Sequence, residues 1–216
     1  MTAVRAYLPA AFTREQLDIF KIEDFQGRMN RLREDITPRL FTLGELLVDP
    51  LSKTVREPMY LHVARHLRRT VNPPVATWAA FARTQRAYKP TVHIRATVSL
   101  TGIHTNIFVE DYADDRPLFA HQLLDRADEL EEFFASHPSV KAFTITDHDN
   151  RPLSGTAITA DMLREFARRL QTSRTQHSIF GLKVPPSAIG DTDALTKAIV
   201  RNVKTLLPIY RLGIER

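Results

Sequence analysis

Apolar residues at Phe25, Met29, Leu32, Ile36, Leu40, Leu43 and Leu47 recur every three or four positions. That spacing puts them on one face and predicts a long amphipathic helix, with Pro38 as its kink. Upstream, Thr13 followed three residues later by Gln16 has the form of a capping box, and Phe12 and Leu17 sit where a hydrophobic staple closes, so a first helix is predicted to start there. Between residues 75 and 111 the pattern changes to short runs rich in β-branched and aromatic residues, "TWAAFAR", "VHIRATVSL" and "HTNIFVE". These predict an antiparallel meander with a hairpin near Gly102. Phe119, Leu123, Ala127, Leu130 and Phe134 return to helical spacing and are followed by the strand-like "KAFTIT". Then come a helix capped by Thr159, a strand at "HSIFGLKV", and a last helix, "DALTKAIVRNVKTLL", expected to end near Pro208.

Helices, then strands, then mixed elements point to an α+β fold rather than a doubly wound sheet. With no internal repeat, low-complexity tract or long linker, residues 1–216 are expected to form a single domain, an antiparallel β meander packed against several helices.

One segment resists assignment by period. In "LHVARHLRRTVNPP", residues 61–74, a helix would gather Tyr60, Val63, Ala64 and Leu67, whereas a strand would set Met59, Leu61, Val63 and Leu67 against Tyr60, His62, Ala64, His66 and Arg68. The strand is favoured. In either geometry positions four apart share a face, so His62 and His66 are expected to look the same way. Their separation would differ, about 5–6 Å between Cβ atoms on a helix and about 13 Å along a strand, and only the helix offers both rings to one metal. Arg68 joins the histidine face in a strand, Arg69 in a helix.

Thirty basic and twenty-five acidic residues give a net charge of +5. The excess is local: between Glu57 and Glu110 there is no acidic residue, while Arg65, Arg68, Arg69, Arg83, Arg86, Lys89 and Arg95 lie there with His62, His66, His93 and His104. Arginine is a planar fork for carboxylate or phosphate, lysine a point charge, and histidine a proton carrier near neutral pH. The expected ligand-binding residues are therefore Arg68, Arg69 and Lys89, with Asn72 before its double proline fixing a rigid bend. Trp78 or Tyr88 would supply a flat wall, and His62, His66 and His93 are the candidate catalytic groups. The plainer alternative is that these arginines pair with the protein's own acids, such as those of "EDYADD" or "DRADELEE", and that Trp78 anchors the core.

The matched runs "HVARHLRRTVNPP", "TWAAF" and "RAYK" with His93 four residues beyond Lys89, together with "FTREQLDIFKIEDFQGRM", "TDHDNRP" and "LLPIYRLG", resemble the YktB-like family of bacterial proteins. The resemblance covers nearly the whole chain and implies a single α+β domain in the bacterial cytoplasm; it implies no activity.

Several chemistries are set aside. Without cysteine there is no disulfide, thiolate zinc site or cysteine nucleophile. The scattered glycines make neither a P-loop nor a dinucleotide fingerprint. No run has the length of a membrane span, and the N-terminus lacks the apolar core of a signal peptide, so a cytoplasmic protein without a membrane partner is expected. The leading reading is binding, with or without conversion, of a small anionic ligand in a His/Arg-lined cleft, with no metal in that site and no cofactor identified. One alternative is a nucleic-acid-binding module using a basic sheet surface. Another is a metal-assisted hydrolase around Asp147, His148 and Asp149, at the end of a predicted strand.

Overall fold

The computed structural model describes residues 9–67, 69–146 and 151–215. The capping box forms as the sequence predicts: Thr13 N–H donates to Gln16 Oε1 at 2.9 Å, Gln16 N–H donates to Thr13 Oγ1 at 3.4 Å, and α1 (Arg14–Asp18) begins there. The long amphipathic segment is α2 (Phe25–Arg31), a π turn (Leu32–Ile36) and α3 (Thr37–Val55) in unbroken succession. The irregularity lies one turn before Pro38 and has its cause there. Proline gives no N–H to the carbonyl four residues back, and its ring crowds that carbonyl, so the preceding turn widens. The Thr37 hydroxyl donates to Leu32 O at 2.9 Å within this turn. Met29, Leu32, Ile36, Leu40, Leu43 and Leu47 are buried, and the buried stripe runs on through Leu51 and Val55.

The stripe from Phe119 to Phe134 is buried as its spacing predicts but is divided between α4 (Arg116–Asp125) and α5 (Ala127–Ser136). Arg126 leaves helical geometry between them, and Phe134 ends stacked on Phe180, ring centroids 5.5 Å apart. After α6 (Ala160–Thr172) and the short α7 (Pro186–Ile189), the last helix, α8 (Thr192–Arg211), continues past Pro208 instead of ending there. The bond lost to Pro208 belongs to the carbonyl of exposed Lys204, whereas Ile209, Tyr210 and Leu212 beyond it are buried. Burial of those three side chains outweighs one missing hydrogen bond.

Among the described residues, seven strands make one antiparallel sheet: β1 (Tyr60–Val63), β2 (Ala76–Ala82), β3 (His93–Ser99), β4 (Gly102–Val109), β5 (Lys141–Thr146), β6 (Pro152–Ser154) and β7 (Ser178–Lys183), in the order β1-β2-β3-β4-β7-β5-β6. This is the expected α+β architecture, with β6 and α7 as elements the apolar pattern did not reveal. One register row, Leu61, Phe81, Ile94, Ile107, Phe180 and Ala142, crosses six strands on the face covered by α3 and α8. The row beside it, on the opposite face, reads His62, Ala80, Arg95, Asn106, Gly181 and Lys141. The pleat thus sorts apolar from polar residues, as a two-residue period requires.

Candidate functional site

The polar face is organised around Arg95, only 5% exposed. Its Nε–H donates to His93 Nε2 at 2.9 Å, and its Nη2 pairs with Glu110 Oε1 at 2.5 Å. The guanidinium lies 3.4 Å from the Phe108 ring centroid, 4.4 Å from Trp78 and 5.6 Å from Tyr88. Strand alternation puts Arg95 between His93 and Thr97 on this face, and cross-strand pairing with Ala80 leaves room for it. Desolvation of a cation is offset here by one carboxylate and aromatic faces, the arrangement in which such contacts are strongest.

His93 is fully buried beneath the guanidinium. Its Nδ1 is 2.8 Å from Thr91 O, so that nitrogen carries the proton and Nε2 accepts from Arg95. Burial first, and the Arg95 charge second, hold its pKa well below the ordinary histidine value. Both nitrogens are engaged, so His93 orients Arg95 rather than exchanging protons. His62 sits at the rim with Nε2 3.0 Å from Thr84 O and its ring 5.4 Å from Tyr88. Trp78 Nε1–H donates to the Tyr88 hydroxyl at 3.2 Å, and Tyr88 stands edge-on to His93 at 4.9 Å.

β1 supports the strand reading of the ambiguous segment, but it stops at Val63. His66 is reached through irregular backbone and has φ of 51°, a left-handed conformation uncommon outside glycine. That turn, not a shared pleat, brings its ring edge-on to Trp78 at 5.3 Å and its Nε2 to 3.0 Å from Thr77 Oγ1. Burial, then the charges of Arg69 and Lys89, lower its pKa to about 4. Arg69 donates from Nη1 to Asn72 O at 3.3 Å, so Asn72 meets the site through its backbone carbonyl.

Tertiary structure therefore gathers His62, His66, His93, Trp78 and Tyr88 into one cluster, with Lys89 and Arg69 at its edge. Arg68 and the Asp147, His148, Asp149 group lie outside the described residues. The central arginine, its partner Glu110 and Phe108 were not singled out as site residues, although the alternation in "HIRATVS" already placed Arg95 on the His93 face. Two of the acid-poor segment's arginines are neutralised internally: Arg95 by Glu110, and Arg83 by Asp115 at 2.6 Å and Glu57 at 3.8 Å. Glu110 and Asp115 come from "EDYADD", the run of acids identified as a source of partners. Arg65, Arg69, Arg86 and Lys89 form no ion pair among the described residues.

Behind His66 a cavity of about 270 Å³ opens between the π turn and the segment leaving β1. Met29, Leu32, Phe41, Ala64 and Leu67 give it an apolar lining; Arg33, Arg65, Thr37, Thr77 and His66 supply its polar groups. Arg33 likewise has no ion-pair partner among the described residues. No described helix is long and apolar enough to cross a membrane, and the described residues place no group of three or more metal-ligating side chains together.

Comparison with known proteins gives the chain its relatives. Residues 12–210 match the family model described as a domain of unknown function, DUF1054. A UPF0637 protein of Bacillus cytotoxicus is 30% identical over 199 residues, covering 90% of this chain and 93% of its own. One from Bacillus cereus strain B4264 is 31% identical over 208 residues, covering 93% and 96%, and one from Shouchella clausii 28% identical over 213 residues, covering 94% of each. Matched along nearly its full length by both the family model and these bacterial proteins, the chain belongs to the DUF1054 family, the YktB-like group its sequence resembles.

Proposed function

We propose that the protein binds a small ligand with an anionic head and an apolar body in the cavity beside His66. The observation that supports this most directly is the pair Arg33 and Arg65, two arginines with no carboxylate partner among the described residues on the rim of a cavity lined largely by apolar side chains. A guanidinium fork suits carboxylate or phosphate, and apolar walls suit a hydrocarbon or ring. His66 stays uncharged near neutral pH, so the positive field at the rim comes from arginine, with Arg69 and Lys89 close by. The Arg95 cluster serves this site as a rigid backing: it fixes Trp78, against which the His66 ring is held.

The site is concave, which favours a small molecule over an extended polyanion. Phenyl phosphate at millimolar concentration is expected to raise Tm, and uncharged benzyl alcohol of similar shape is not. The Arg33→Ala, Arg65→Ala double variant, folded with unchanged Tm in the absence of ligand, is expected to lose at least tenfold in affinity. Equal stabilisation of the parent protein and the double variant, or none by any phenyl or short-chain alkyl phosphate or carboxylate, rejects this reading. Retention of an oligonucleotide by the parent protein above physiological salt would favour the nucleic-acid alternative instead.

A further inference from the structure

The loop that joins β1 to β2 leaves and rejoins the sheet at one point, where Ala64 N–H donates to Trp78 O at 3.0 Å. Its returning end is pinned, because buried Arg28 donates from Nη1 to the carbonyl of buried Pro74 at 3.1 Å. Within the loop Arg69 N–H donates to His66 O at 3.1 Å and Arg69 Nη1 to Asn72 O at 3.3 Å, while Pro73 and Pro74 fix two φ angles. Yet Leu67, Val71 and Val75 on this tied loop are 78%, 74% and 76% exposed, more than any other large hydrophobic residue described. One exposed aliphatic side chain is ordinary; three on one loop mark a contact surface.

The charges around them narrow what that surface meets. Arg65 and Arg69 are exposed on either side of Leu67, Arg33 lines the same cavity as Arg65 and Leu67, and Lys89 is close enough to act on His66. None of these cations has an ion-pair partner among the described residues, and the sequence has no acidic residue between Glu57 and Glu110. A second copy of the chain would set like charges against each other. A nucleic acid would satisfy the arginines but offers nothing aliphatic to Leu67, Val71 and Val75, which are not the flat rings that stack on bases. The interface of an anionic bilayer offers both, phosphates at the level of the guanidinium groups and acyl carbon just beneath for short apolar side chains.

We propose that the β1–β2 loop docks on an anionic lipid surface, with Leu67, Val71 and Val75 entering the boundary between headgroups and acyl chains and Arg65, Arg69, Arg33 and Lys89 facing the lipid phosphates. The hydrogen bonds at Pro74 and Asn72 hold the loop in its docking shape beforehand, so little order has to be gained on contact. The expectation of no membrane partner came from the lack of a spanning run, and adsorption to one leaflet needs none.

Flotation with extruded vesicles tests this. The parent protein is expected to bind phosphatidylcholine vesicles containing phosphatidylglycerol at least about tenfold more tightly than vesicles of phosphatidylcholine alone, with the difference shrinking as salt is raised. Val71→Ser with Val75→Ser, at two exposed positions, is expected to keep Tm and to lose about tenfold in binding to the mixed vesicles. Arg65→Gln with Arg69→Gln is expected to remove the preference for the anionic lipid. Val71 and Val75 lie outside the lining of the His66 cavity, so vesicle binding and its loss in the valine variant are expected whether or not phenyl phosphate stabilises the protein. A parent protein that binds neither vesicle, or both alike, or a valine variant that binds as the parent does, overturns the proposal. So does a dimer in sedimentation velocity that the valine variant dissolves, which would give these side chains to a second copy.

Discussion

Replacing Glu110 with alanine is expected to destabilise the fold by about 3–5 kcal/mol, the range for stranding one member of a buried ion pair. Among the described residues, Glu110 is the one carboxylate paired with Arg95, a side chain that is 5% exposed and already spends its Nε–H on His93. Without that partner the guanidinium remains among Phe108, Trp78 and Tyr88 with its charge uncompensated. For a chain of this size each kcal/mol moves Tm by about 2–4 °C, so a drop on the order of 10 °C should be seen by differential scanning calorimetry. Arg95→Met combined with Glu110→Leu is expected to recover a large part of the loss, since it removes both charges while keeping volume. A Glu110→Ala protein within 2 °C of the parent, a margin set by about 1 kcal/mol, would mean that the aromatic faces alone hold the cation.

Acidification is expected to weaken the protein before its carboxylates begin to titrate. His66, His93 and His104 all have folded pKa values below the ordinary one, each chiefly through burial. The charged groups that act on them are also cationic: Arg69 and Lys89 on His66; Arg95, His62 and Lys89 on His93; Lys183 and Lys141 on His104. Unfolded histidines take up protons near pH 6.5 while these three resist. Their stabilisation is therefore complete above about pH 6.5 and is lost as the pH falls from there toward about 4. By pH 5 the unfolded-state titration limits the fully buried His93 to a loss of about 2 kcal/mol, and the two part-exposed rings add less. Tm should fall by several degrees between pH 7.5 and 5 and change little between 8 and 7. Replacing His66 and His104 together with glutamine should make the acid limb shallower. A Tm that is flat or rises on acidification would contradict the burial of these rings.

The elements were legible in the sequence where a single period dominated. The capping box at Thr13, the heptad-like stripe from Met29 to Leu47 and the three-strand meander follow from local chemistry, which needs no partner to be read. Pro38 and Pro208 show the limit of that reading. Both remove one N–H, yet the first widens a turn and the second leaves its helix intact, because what lies beyond Pro208 is buried apolar surface. The site was legible as a list of residue types. His62, His66, His93, Trp78 and Tyr88 do meet, but around Arg95, whose importance comes from the cross-strand register and from Glu110, fifteen positions away in the chain.

By itself the sequence determined the fold class, the family, the strand meander and the lopsided distribution of cations, all of which depend on composition and on spacing along the chain. Only the tertiary structure decided which of those cations are already neutralised and which face outward. Charge pairing depends on distance in space: Arg83 and Arg95 find Asp115 and Glu110 across the fold, while Arg33 and Arg65, from separate segments, converge on one cavity without a counter-charge among the described residues.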